Sequence, residues 1–491
     1  MPPLMRNLVQ RTAGLGLVAV AALALGLLQE VLLARRFGTG PAADAYAAAL
    51  LLPTVLMTIL GNAASGAYLA CHAGRDGEGA AFVRSVLLIA IAAAAILAFF
   101  APPLVAWVYS GFPPQTAALT VSLLRSLSLV AAAGSLFALL KARFNARGTF
   151  MRPAAAGLLV PAACSSALLL GASVESVALA VAAAWLVQAL LLAAGGHWRG
   201  SGTADREWSL ALPLMAVALL GFAYQPIGRA IASRLIDGGV AALRYSDNIL
   251  QLPAALVYLP LATVVLPSLS THALNGRTES FRELYGEALR WVVRAGLCIA
   301  ALIWALSGTL VAAIYRGGAF GVDSSALVTR LLTAGALFAL PWALTSLSTP
   351  ALIALQRIRT LLGLSALFCT INLLLLILLV PWLGLVGVVL AGALAACCSE
   401  SCALALLVRC DRARLDAAQW RSTWRALLGA LAAALAAHAA QLACARFTGP
   451  RLSLLIAGTV GVAVFLPIAL TGLELRGTLG ALVTKMRSQH S

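Results

Sequence analysis

Apolar runs of about 18 residues or more recur from one end of this chain to the other, separated by short polar connections. Each run is long enough to cross the hydrocarbon of a bilayer as a helix, which takes roughly 20 residues. The period-two alternation of a barrel strand is absent. The pattern predicts an all-α polytopic membrane protein of about fourteen spans, near 13–33, 44–71, 85–109, 118–140, 153–173, 176–195, 209–231, 240–271, 291–314, 325–355, 360–381, 384–408, 425–445 and 452–473. No water-soluble domain interrupts them. The N-terminus, with Arg6 and Arg11 before an apolar stretch, has the outline of a signal peptide. That stretch runs on to about Leu33, too far for a cleavable segment, and reads as the first span.

Composition sharpens this reading. Of the 491 residues, 62% are hydrophobic and 10% charged, where a soluble domain carries about a quarter charged. The net charge of +17 would suggest nucleic acid in a soluble protein. Here no nucleic-acid motif accompanies it, and basic residues crowd the cytoplasmic loops of inner-membrane proteins. With the N-terminus placed in the cytoplasm, 24 of the 34 basic residues fall in cytoplasmic segments and seven in outer ones, while Arg125, Arg229 and Arg330 fall within spans. Both termini are then cytoplasmic, which requires an even number of spans. Nine scattered cysteines form no C-x-x-C pair, so metal binding and redox chemistry are not expected, and free Cys in a helix acts as a small hydrophobe.

A repeat emerges at an offset of 200 residues. "LLPTVLMTILGNAASGAYLACHA" (51–73) aligns with "QLPAALVYLPLATVVLPSLSTHA" (251–273), and Gly38 falls on Gly238. Two six-helix lobes account for it, residues 1–200 and 201–415, with a third segment, 416–491, carrying the last two spans and a cytoplasmic tail. Parallel repeats of this kind recur in secondary transporters. Pro53 and Pro253 occupy matching places and are the hinge candidates, since proline frees backbone groups inside a span.

No phosphate loop, nucleophile elbow, zinc-protease helix or hydrolase carboxylate pair is present, so the sequence carries no catalytic motif. What remains is a set of ionisable groups in or near spans: Glu30, Asp44, Arg125, Arg229, Asp237, Asp247, Arg330 and Glu400. Such groups face a cavity or a partner, because charge in hydrocarbon is costly. Asp237 and Arg330 read as interfacial, and Arg125 and Arg229 as lining a cavity. Glu30 lies about a turn before Arg35 and can pair with it. In "LARRFGTGPAADAYAAALLLP" (33–53) two readings stay open. Asp44 either stabilises the N-terminus of the second helix or forms, with Arg35, a gate that opens when the lobes rock.

Two stretches carry a family resemblance. The first reads R-x-F-G-x-G-x-x-x-D-A from Arg35 to Ala45; the second is "RYSDNILQLPAALVYLPLATVVLPSLSTHA" (244–273). Together they resemble the MviN/MurJ family of lipid II flippases, within the superfamily of multidrug, oligosaccharidyl-lipid and polysaccharide exporters. The resemblance implies two lobes in an inverted V around a basic cavity, two extra helices grooved for a lipid tail, and translocation of a polyprenyl-diphosphate-linked glycan across the bacterial inner membrane. The implied partners are that glycan lipid, the membrane lipids and envelope-glycan synthesis enzymes; no cofactor is implied.

The chain departs from the family where cavity arginines are usual: the matching positions are Leu23, Gln29, Met57 and Asn248, and the acidic position that follows in the eighth helix is Gln251. Asn372 is followed four residues on by Leu376 rather than a carboxylate, which removes the family's route to sodium. Gln29, Asp247, Asn248, Arg125 and Arg229 are therefore the candidate cavity residues of a diverged member. Its cargo is lipid II or a related envelope or exopolysaccharide precursor. A drug antiporter of the same superfamily and a transport-inactive scaffold are the alternatives.

Overall fold

The computed structural model describes residues 3–72, 79–194, 204–410, 413, 417–444 and 449–469. Arg75, Arg199, Arg412, Arg414, Arg446, Arg476, Lys485 and Arg487, all counted above, and Ala73 lie outside them. Among the described residues every regular element is a helix, with one isolated bridge between Gly317 and Phe320. Thirteen helices among the described residues are long and apolar enough to cross a membrane. In chain order the helices are α1 (Pro3–Phe37), α2 (Pro41–His72), α3 (Ala80–Phe99), α4 (Pro114–Ala146), α5 (Met151–Leu169), α6 (Val174–Ala193), α7 (Asp205–Leu235), α8 (239–274), α9 (Thr278–Ile314), α10 (Val322–Ala354), α11 (Ile358–Leu383), α12 (Leu385–Arg409), α13 (Ala417–Cys444) and α14 (Pro450–Ala469). The eighth expected span falls on α8, which is not among the thirteen.

Large apolar side chains such as Leu88, Trp107, Ile377, Trp382 and Leu435 are exposed. A soluble protein does not leave so much apolar surface open, and lipid is the solvent that suits it. The chain is a multi-pass membrane protein. Trp107 and Trp382 stand at helix ends, where amphipathic rings favour the membrane–water boundary.

Several boundaries differ from the hydropathy reading for physical reasons. The third expected span breaks at Phe100 into α3 and a short helix, Ala101–Val108, opened by Pro102 and Pro103. Proline suits the first turn of a helix, where its missing N–H has no intrahelical partner in any case. The ninth helix starts at Thr278, well before the expected 291. Charges at Glu279, Arg282, Glu283, Glu287 and Arg290 hide this segment from a hydropathy window, yet Phe281, Tyr285, Ala288, Leu289 and Val292 are buried along one helical face.

The chain divides into two compact units, Met1–Tyr245 with Gly317–Ser324, and Ser246–Arg316 with Ser325–Ser491. In the first, α2, α3, α4 and α7 share a core that includes Tyr68, Phe82, Leu139 and Met215. Beside it His72 Nε2 lies 2.8 Å from Glu207 Oε1, fixing the end of α2 to the start of α7. In the second, α13 and α14 pack on α9 through Ala430, Ala433, Phe465 and Cys298.

Both hinge candidates sit next to a widened turn. α2 continues through Pro53 and passes into a π-helical turn at Thr58–Asn62. α8 reaches Pro253 and widens immediately, at Ala254–Tyr258. Proline removes one rung of the hydrogen-bond ladder, and a π-turn absorbs the mismatch that follows. Near the first of these turns Gly61 lies against α4, with Ser135 Cα 2.8 Å from where a Cβ would stand. We therefore expect Gly61→Val to lower the thermal stability of the detergent-purified protein by about 1–3 kcal/mol through overpacking. Gly26→Val should change the same melting measurement far less, since nothing lies within 4 Å of its Cβ position.

Candidate functional site

The start of α8 is the place where the first unit concentrates its polar chemistry. A helix N-terminus presents N–H groups that have no partner within the helix. Here Asp44, 3% exposed on α2, supplies them from another segment of the chain. The N–H of Gly238 donates to Asp44 Oδ2 and the N–H of Ala241 to Asp44 Oδ1, both at 2.7 Å. A carboxylate here also meets the positive end of the helix dipole. The α1–α2 turn and the α7–α8 turn are thereby joined.

Further bonds reinforce the same junction. The Tyr245 hydroxyl donates to the Gly38 carbonyl at 2.9 Å. Gly38 and Gly238, which the repeat places in register, both adopt left-handed conformations, at φ 59° and 81°. Neither has room for a methyl: at Gly38 it would strike the Ala319 carbonyl oxygen, and at Gly238 the Thr39 carbonyl oxygen. The α9–α10 turn closes over them. Ala319 N–H donates to the Arg35 carbonyl at 2.7 Å, the Thr39 and Ser324 hydroxyls lie 2.8 Å apart, and Phe320 meets the Tyr245 ring edge-on.

One turn deeper lies an ion pair. Arg244 Nη2 donates to Glu30 Oε1 at 2.7 Å and Arg244 Nε to Glu30 Oε2 at 3.3 Å. The two side chains are only 11% and 13% exposed. The guanidinium also stands 5.2 Å from the centre of the Tyr46 ring, a cation–π distance. Two-pronged contact and an aromatic face are the features that favour arginine over lysine at such a place.

The expected gate residues are thus all at this junction, with different partners from those expected. Glu30 pairs with Arg244, not with Arg35. Arg35 and Asp44 form no ion pair, because both Asp44 oxygens are taken by backbone N–H groups of the α8 start. Arg35 contributes its carbonyl, and its Nε is buried with no hydrogen-bond partner. Arg36 donates to the Gly171 carbonyl at 2.6 Å. Asp44 stands in the first turn of α2, as expected, and its carboxylate also serves the start of α8.

The cavity candidates are dispersed. Gln29 makes a long 3.4 Å contact to Glu30 Oε1. Arg229 is buried on α7, within electrostatic reach of Tyr109, whose hydroxyl donates to the Ala48 carbonyl. Arg125 is exposed on α4, and Asp247 and Asn248 are half-buried on α8 in the second unit. Asp237 and Arg330 are exposed. Met57 lays its sulfur against Gly134 of α4. Among the described residues no group of His, Cys, Asp and Glu is placed to hold a metal.

Arg244, Tyr46 and the 317–324 turn were not among the predicted site residues. Arg244 was legible only as an outer-loop charge beside the quoted Tyr-Ser-Asp stretch. Nothing in its spacing from Glu30, more than 200 residues away, announces the pair.

Helical spans throughout the described chain and a polar junction between turns define a polytopic membrane fold of the transporter class. The comparisons place it further. A family model described as "Lipid II flippase MurJ" matches residues 33–456, and the chain belongs to that family. A probable lipid II flippase MurJ of Rhizobium tropici is 26% identical over 423 residues, covering 79% of each chain. One from Rhizobium meliloti is 25% identical over 418 residues, covering 78% of each. Among solved structures, a lipid II flippase MurJ in an inward closed conformation superposes with a TM-score of 0.78 at 20% identity, covering 93% of this chain and 97% of that one. An inward-facing multidrug resistance MATE family transporter of the MOP superfamily gives 0.66 at 15% identity, covering 80% and 98%. Both show the fold.

Removing the Asp44 carboxylate leaves two buried N–H groups without acceptors. Asp44→Ala should lower thermal stability by about 1–3 kcal/mol, and Asp44→Asn, which keeps one acceptor oxygen, by less. Glu30→Gln strands a buried guanidinium and should cost about 3–5 kcal/mol. The exchanged pair Glu30→Arg with Arg244→Glu should recover part of that loss in the same melting assay.

Proposed function

We propose that this chain is a flippase that carries a polyprenyl-diphosphate-linked glycan, lipid II or a related envelope precursor, across the bacterial inner membrane by alternating access. Membership of the lipid II flippase family supports the class of cargo, and the carriage needs no catalysis by the chain. A sugar-diphosphate head cannot cross hydrocarbon unaided, so the protein must offer it a polar path while the lipid tail stays in the bilayer. The charge distribution puts both termini in the cytoplasm. On that orientation the Asp44–Glu30–Arg244 junction faces outward and is the outer gate. It is the single observation on which the mechanism rests, because its bonds tie α1 and α2 to the start of α8, and these separate when the lobes rock. Pro53 and Pro253, each beside a π-turn, are the hinges. Arg125 and Arg229 take the place of the family's usual arginines toward the diphosphate, with Gln29, Asp247 and Asn248 as polar lining. Envelope-glycan synthesis enzymes are the partners that would supply and use such a cargo.

The missing arginines favour a cargo other than lipid II, and they also sustain a second reading, a transport-inactive scaffold in an envelope-synthesis complex. Reconstitution into vesicles with a fluorescent polyprenyl-diphosphate oligosaccharide separates the readings. Protein-dependent movement of the label to the far leaflet is expected. Oxidative cross-linking of a Thr39→Cys, Ser324→Cys double variant should arrest that movement and reduction restore it. Movement that continues under complete cross-linking would remove the gate, and no movement with any lipid-linked glycan would favour the scaffold. Full rescue of a strain depleted of its lipid II flippase would contradict the divergent-cargo reading.

A further inference from the structure

In the second unit a carboxylate stands inside a membrane-spanning helix, and among the described residues no cation pairs with it. Glu400 lies on α12 nine residues before Arg409, or about 14 Å along the helix axis at 1.5 Å per residue. Its Oε1 is 2.7 Å from Thr345 Oγ1, and its Oε2 is 2.6 Å from Ser348 Oγ, both on α10. The titratable neighbour on α9 is Tyr285, which is fully buried and within electrostatic reach. The arginines of α9 that are buried are engaged elsewhere: Arg282 with Glu279, and Arg294 over the Trp291 ring. From α11, Leu364 contributes a carbonyl to Ser399, the residue next to Glu400, and not a charge.

The hydrogen count at Thr345 is the informative point. Its Oγ1 also lies 2.9 Å from the Pro341 carbonyl oxygen, one turn back on α10. A threonine hydroxyl has one hydrogen to donate, a carbonyl oxygen only accepts, and an ionised carboxylate only accepts. With Glu400 ionised, one hydrogen must serve two acceptors. With a proton on Oε1, each contact has its own hydrogen. Ser348 donates to Oε2, Oε1 donates to Thr345, and Thr345 donates to Pro341. The neutral acid also avoids the cost of an uncompensated charge in a span.

We propose that Glu400 holds an exchangeable proton that completes a hydrogen-bond chain from Ser348 through the carboxyl group to Thr345 and the Pro341 carbonyl, joining α10 to α12. Release of the proton to water leaves a carboxylate that takes the Thr345 hydrogen, and the bond from Thr345 to the Pro341 carbonyl within α10 is lost. This is a proton site distinct from the Asn372 and Leu376 positions. It stands whether or not the chain moves a glycan.

The test uses the full-length protein in lipid vesicles and reads infrared absorption of protonated carboxyl groups, with no transport step. Wild-type protein in neutral buffer should show a carboxyl C=O band that Glu400→Gln removes, and that band should bleach as the buffer is made alkaline. Glutamine reproduces the hydrogen bonding of the neutral acid, so Glu400→Gln should fold and its melting temperature should lose the pH dependence of the wild type. Thr345→Val keeps the acid and removes its acceptor, and should shift the band to higher frequency. Superposable spectra of wild type and Glu400→Gln would overturn the proposal. So would a band abolished by exchanging potassium for sodium at fixed pH, which would make this a sodium site. Should Glu400→Gln fail to fold, an unshifted band in Thr345→Val overturns it alone.

Discussion

The first unit depends on an elementary requirement: the N–H groups that open a helix must find acceptors when water is excluded. At the start of α8 they find both oxygens of Asp44, a residue nearly 200 positions away in the chain. The requirement fixes much else. For α2 to bring its carboxylate that close, the α1–α2 turn must lie on the α7–α8 turn, and both turns need residues without side chains at the point of contact. Gly38 and Gly238 meet that need. Once the turns touch, the Tyr245 hydroxyl, the Arg35 carbonyl and the Glu30–Arg244 pair all fall within bonding distance of their partners. Each bond alone contributes about 0.5–3 kcal/mol net, those to charged groups the most. Jointly they define one arrangement of three turns.

The architecture was largely legible in the sequence because its cause is local. An apolar run long enough for a bilayer announces itself, and so does a proline or a glycine-rich turn. The segment 278–290 shows where that legibility stops. Most of its charges, Glu279, Glu283 and Glu287 among them, are exposed while Phe281, Tyr285 and Leu289 are buried, and averaging hydropathy erases the distinction. The site was legible in part. Glu30, Arg35 and Asp44 were conspicuous as charges among apolar neighbours, and all three are at the junction. Their partners were not legible. Proximity in sequence suggested Arg35 for both carboxylates, whereas the fold assigned Glu30 to a distant arginine and Asp44 to backbone. Backbone donors have no signature in a sequence, so a carboxylate that caps another helix cannot be told from one that pairs with a cation.

Two of the neutral positions to which the family resemblance drew attention have defined surroundings. At Met57 a thioether lies against Gly134. A flexible apolar side chain fills an irregular gap well, and a guanidinium could not lie there without burying its charge. Gln29, at another such position, leans on Glu30, whose charge is already matched by Arg244. The junction is thus held by acidic groups, backbone and glycines, while the neighbouring positions 29 and 57 carry neutral side chains.

The paired π-turns carry a consequence of their own. A widened turn holds one extra residue, and at 3.6 residues per turn one residue rotates everything beyond it by about 100° around the helix axis. In both α2 and α8 the face presented before the widened turn therefore differs from the face presented after it. The two widened turns follow Pro53 and Pro253, which stand 200 positions apart in the chain, so each of these spans changes the face it presents shortly after its proline.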